Sequence, residues 1–150
     1  MFQKTISFGI YDEMILQSIF LHDIVEDSFF TRKDIENRFS QSVSFIVDAL
    51  TTVDDEGKKF PKNEYFEKFL LASQKQWRIL FIKLLDSIDN LQTIHGLSSE
   101  KQARFMEEKK EIFLPIFVQN ISQIPFDFRE TYTKLLEEFQ YLLLKNEYAK

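Results

Sequence analysis

Cysteine is absent from the chain, and glycine and proline occur only three times each. The first absence excludes disulfides, thiolate metal sites and a cysteine nucleophile, and is compatible with a reducing cytoplasm. The second leaves little material for hairpins, so the chain is expected to be helical throughout. No uninterrupted apolar run exceeds four residues. A membrane span needs roughly 20, so none is expected, and the N-terminus lacks the apolar core of a signal peptide. Excess positive charge is also missing, the formal net charge being −5. Non-specific affinity for nucleic acid rests on Lys and Arg at phosphates and is therefore not expected.

Phenylalanine is plentiful, with 17 residues against five Tyr and one Trp. That bias points to interior packing. The length of 150 residues fits a single domain with a sizeable core. No repeat, low-complexity segment or long linker divides it.

Hydrophobic spacing predicts an all-α bundle of six or seven helices. The first runs from Asp12, its cap, to about Asp27, with Met14, Ile15, Ile19 and Phe20 inward. A second begins at the capping pair Thr31 and Asp34, and a third carries Val43, Ile46, Val47 and Leu50. A loop over Thr51–Lys62 precedes a helix over Glu64–Ala72. The central helix, about Gln74 to Ile94, has one stripe of Trp77, Leu80, Phe81, Leu84, Ile88 and Leu91. Ile79, Ile82 and Leu85 cover a second side, so this helix is expected to be mostly buried. After Gly96 a helix runs from Ser98 to about Asn120, disturbed at Pro115. The last, about Phe128 to Glu147, aligns Phe128, Tyr132, Leu135, Phe139 and Leu142. Any excess of that stripe over what the bundle covers offers a face for a homodimer.

Chemistry concentrates in His22-Asp23-Ile24-Val25-Glu26-Asp27. At roughly 100° per residue His22 and Glu26 nearly eclipse, as do Asp23 and Asp27. Imidazole and carboxylate share borderline divalent metals, and acids one turn away can orient a water. Alone, a His-Asp dipeptide is an ordinary helix-surface pair, and Glu26 and Asp27 a solvated helix end. Asp86 lies inside the buried central helix, where an isolated carboxylate costs too much. It must be paired, hydrogen-bonded or metal-bound. Asn90, one turn later, shares its face or caps the helix. His95 reads as a helix C-terminal partner, Glu107-Glu108-Lys109-Lys110-Glu111 as a solvated face, and Lys58, Lys59 and Lys62 as solubilising or phosphate-facing loop residues.

Three segments resemble the hydrolase domain of the RelA/SpoT family, an HD-domain helical bundle. His22-Asp23-Ile24-Val25-Glu26-Asp27-Ser28, with Asp34-Ile35 and Phe39, resembles its HD-and-ED stretch. Ile82-Lys83-Leu84-Leu85-Asp86-Ser87-Ile88-Asp89-Asn90-Leu91 is similar to its KLADR-HN helix. Glu100 to Arg104 through Ile112-Phe113-Leu114-Pro115 is similar to the helix that follows. The order and spacing agree from about Asp12 to Phe117.

The resemblance implies a manganese-dependent hydrolase that removes the 3′-pyrophosphate from (p)ppGpp, of the small stand-alone kind. It assigns His22, Asp23 and Asp86 as metal ligands, Glu26 and Asp27 as water-activating acids, and Asn90 as a guanine-nucleotide contact. The family's first His ligand falls ahead of Met1, with no replacement in Met1–Ile10, so the resemblance implies either a start upstream of Met1 or an N-terminally shortened domain. Ser87 and Asp89 replace the motif's Arg and His. A catalytically silent HD-fold module that binds nucleotide or protein is the alternative.

Overall fold

The structure, a computed structural model, describes residues 1–22 and 30–148. These residues form an all-α chain, with one isolated antiparallel bridge between Val53 and Lys59. No helix among them is long and apolar enough to cross a membrane. The chain divides into two compact units, Met1–Ile82 and Lys83–Lys150.

In the first unit, α1 (Phe2–Ser7) ends where Gly9, at φ 72°, turns the chain through the left-handed region. Its N–H donates to Ile6 O and that of Ile10 to Thr5 O, closing the helix carbonyls. Asp12 caps α2 (Glu13–Leu21) by accepting from the Ile15 N–H at 2.9 Å. Thr31 and Asp34 form a reciprocal capping box at the start of α3 (Arg32–Arg38). Ser40 caps α4 (Gln41–Leu50), whose Val43, Ile46, Val47 and Leu50 are buried. Leu21, Ile35, Val43 and Val47 make one apolar cluster, with Met14 packed against it.

A loop leads to α5 (Lys62–Lys75), which packs on α4. Within that loop Asp54 Oδ1 accepts from the Glu56 and Lys58 amides, and Gly57 supplies the positive φ. The helix expected to begin at Gln74 begins at Arg78 instead. α5 continues through Lys75 before Gln76 breaks the chain with an extended backbone, and α6 covers Arg78–Gln92. Both expected stripes of α6 are buried, from Ile79 to Leu91, while Trp77 is only half-buried.

In the second unit, Ser98 caps α7 (Ser99–Glu108). The expected disturbance near Pro115 takes the form of a π-helical turn, Lys109–Phe113, ahead of α8 (Leu114–Gln119). Proline lacks an N–H and crowds the carbonyl one turn back, and a widened turn relieves that crowding. The last helix, α9 (Phe126–Tyr148), buries Tyr132, Leu135, Phe139 and Leu142. Tyr132 donates its hydroxyl to Phe117 O at 2.8 Å, and Phe117 meets Phe139 edge-on with centroids 5.5 Å apart.

Short helices raise the number of elements above the six or seven expected, because α1 and the pieces around Pro115 carry too few residues to print a clear period. Phe20 departs from its expected inward position and is 67% exposed, since α2 buries the face of Ile15, Ser18 and Ile19 instead.

Candidate functional site

The six candidate residues fall in three places. His22 is the C-cap of α2 in the first unit. Asp23, Glu26 and Asp27 lie outside the described residues. Asp86 and Asn90, one turn apart on α6, belong to the second unit, and both are half-buried. Among the described residues, no three His, Asp or Glu side chains gather into a group able to hold a metal ion.

The capping of α2 fixes what His22 presents. Its Nδ1 lies 2.7 Å from Ile19 O, and a carbonyl only accepts, so Nδ1 carries the proton. In the neutral ring the lone pair is then on Nε2, the tautomer suited to metal ligation. The other end of α2 is anchored within the same unit. Arg78 donates from Nε to Asp12 Oδ1 at 2.8 Å and from Nη2 to Oδ2 at 2.7 Å, while its guanidinium lies 4.6 Å over Trp77. Burial pushes the pKa of Asp12 up, but the Arg78 guanidinium and the Ile15 and Met14 amides outweigh it and hold the carboxyl below its usual value.

Asp86 has the partner its position demanded. Lys83 Nζ stands 3.4 Å from Asp86 Oδ2, the two side chains being 12% and 19% exposed. Lys83 also lies 4.9 Å over the Phe113 ring. A second ammonium shares that ring: Lys109, 1% exposed, is 4.7 Å from the Phe113 centroid and 4.8 Å from that of Phe105. Desolvation and the neighbouring Lys83 lower its pKa to about 7, against the opposing pull of Asp86 and Glu108.

Lys109 corrects the reading of its charged run as a solvated face. Four of the five residues do remain open or half-open to solvent, while the π-helical turn places Lys109 inside. The one signal in the sequence was Phe105 and Phe113, four residues to either side of it. In a helix, rings at i−4 and i+4 can sandwich a cation.

Elsewhere the lysines stay structural or solvated. Lys58, Lys59 and Lys62 are exposed, as is His95. Asp48 is shared by Arg32 at 3.4 Å and Lys68 at 3.8 Å.

Each taken by itself, the His22 imidazole with its lone pair on Nε2 and the half-buried Asp86 carboxylate are donor types that suit a borderline divalent cation. Lys83 is the competitor that Asp86 already has.

A family model of the HD domain matches residues 4–120. The guanosine-3′,5′-bis(diphosphate) 3′-pyrophosphohydrolase of Vibrio cholerae is 34% identical over 104 residues, covering 67% of this chain and 15% of the relative. A probable enzyme of the same name from Synechocystis is 34% identical over 112 residues, covering 70% and 14%. That of Aquifex aeolicus is 30% identical over 113 residues, covering 75% and 16%. The chain thus spans only about a seventh of the length of these relatives.

Proposed function

The chain belongs to the HD-domain family, and from that premise we propose that it is a metal-dependent phosphohydrolase acting on (p)ppGpp. The observation that carries this reading is the extent of the family match. Its span takes in His22, Asp23, Glu26, Asp27, Asp86 and Asn90. The relatives named for 3′-pyrophosphate removal direct the choice of substrate.

In this reading His22, Asp23 and Asp86 would hold a divalent cation, with Mn²⁺ the metal to test first. When bound, such a cation supplies Lewis-acid activation of the attacking water and of the phosphorus centre. Glu26 and Asp27 orient that water and accept its proton. As the water oxygen bonds to phosphorus, the bond from phosphorus to the ribose 3′-oxygen breaks, and the 3′-oxygen takes up the proton that Glu26 and Asp27 accepted, giving GDP and pyrophosphate. Asn90 places an amide one turn from Asp86, where it holds the nucleotide by hydrogen bonds. The Ile19 carbonyl keeps the imidazole in the ligating tautomer throughout. A homodimer and a cytoplasmic setting belong to the same proposal.

Product analysis tests the substrate. With ppGpp and Mn²⁺, the reading expects GDP and pyrophosphate in equal amounts, and no product from GDP alone. Release of orthophosphate from either nucleotide would contradict it.

A further inference from the structure

The stripe of Tyr132, Leu135, Phe139 and Leu142 on α9 is buried within the second unit. On the opposite side of the same helix, Tyr141 and Leu144 stand 62% and 54% exposed. Residues three apart in a helix are neighbours, so the two side chains form one small apolar patch. Glu137 lies one turn before Tyr141 and Lys145 one turn after it, both exposed. Other charges of α9 are already engaged, Lys134 with Glu130 and Glu147 with Lys110, each at 3.3 Å. Among the described residues, Glu137 and Lys145 have no such partner.

This pattern complements itself in one orientation. Glu137 and Lys145 are each four residues from Tyr141, about 6 Å along the helix at roughly 1.5 Å per residue. A two-fold axis at Tyr141 that sets two α9 helices antiparallel brings Glu137 of each copy opposite Lys145 of the other. The two Tyr141 rings meet at the axis, and Leu144 enters the groove between Glu137 and Tyr141 of the second copy. A parallel pairing would instead set Glu137 against Glu137 and Lys145 against Lys145, which like-charge repulsion opposes. The net charge of −5 makes copies of the chain repel at longer range, and the two opposite-charge pairs offset that repulsion where it is closest. We propose that this face of α9 binds a second copy of the chain, antiparallel and centred on Tyr141. The inference rests on the homodimer proposed above and gives it a surface.

Sedimentation equilibrium of the full chain over a range of concentrations tests it. A reversible monomer–dimer equilibrium is expected, weakened by salt because exposed pairs are screened. Tyr141→Ala should weaken dimerisation about tenfold. Glu137→Lys and Lys145→Glu each turn two attractions into two repulsions and should weaken it about tenfold. Both exchanges in one chain restore the pairs and should return the affinity to within a few-fold of wild type. A dimer that none of these substitutions weakens would overturn the inference and leave the homodimer standing on another surface. Single reversals that weaken the dimer without rescue by the double exchange would overturn the antiparallel register. Wild-type protein that stays monomeric at every concentration would overturn both the surface and the homodimer.

Discussion

Arg78 grips Asp12 through two parallel hydrogen bonds of 2.8 and 2.7 Å, and the same carboxylate caps the helix that ends at His22. One side chain thereby anchors α2 to the start of α6 within the first unit. Removing it costs both the cap and the partner of a guanidinium that is 20% exposed. Asp12→Ala should lower stability by about 1–3 kcal/mol. In a double-mutant cycle with Arg78→Leu, chemical denaturation should show the two losses to be coupled. The sign with pH follows from the lowered carboxyl. Its stabilising share is complete above the ordinary carboxylate value of 3.8 and is lost as pH falls through the folded-state value.

Lys109 makes the opposite prediction. Its pKa of about 7 in the folded chain lies below the ordinary 10.5, so between those values the unfolded chain holds more protons. Stability then rises with pH across that window, and the whole penalty applies below it. Lys109→Met should raise stability by a few kcal/mol below pH 7, since each tenfold loss of proton affinity on folding is worth about 1.4 kcal/mol. The gain should shrink towards pH 10. Thermal unfolding of both proteins across that range reads it, with Lys83, Asp86 and Glu108 as the charged neighbours held constant.

Tyr132 tests the second unit's core. It is fully buried, and its hydroxyl donates to Phe117 O. Tyr132→Phe leaves that carbonyl without its donor and should cost about 1–2 kcal/mol in chemical denaturation.

Helix starts were legible at Asp12, Thr31 and Ser98, where a short polar side chain closes the first turn, but not at Ser40, which does the same for α4. The α6 stripe was legible because its apolar residues keep one period from Ile79 to Leu91. Phe20 stands outside because α2 turns the face of Ile15, Ser18 and Ile19 inward, and the small polar Ser18 carries no apolar signal in the pattern. Lys109 was misread because charge outranks position in a pattern of residue types, and only the π-helical turn moves it inside. Of the candidate site, Asp86's need for a partner was legible from its buried helix. That Lys83, three residues earlier, would supply it was not drawn from the pattern.

The acids Glu26 and Asp27 should separate binding from chemistry. Glu26→Gln and Asp27→Asn should keep Mn²⁺-linked thermal stabilisation and lose turnover by about 10² or more, the usual contribution of a positioned base. His22→Ala and Asp86→Ala should lose both. Loss of stabilisation in the two amide variants would move those acids into the ligand set.

Metal-dependent hydrolysis of (p)ppGpp by this chain, as proposed, can be tested in one assay. Pyrophosphate release from ppGpp is followed with Mn²⁺ present and again after excess chelator. Turnover is expected with the metal, with loss on chelation and return when Mn²⁺ is restored. No release at high protein concentration with saturating Mn²⁺, or release that chelator leaves unchanged, would contradict it.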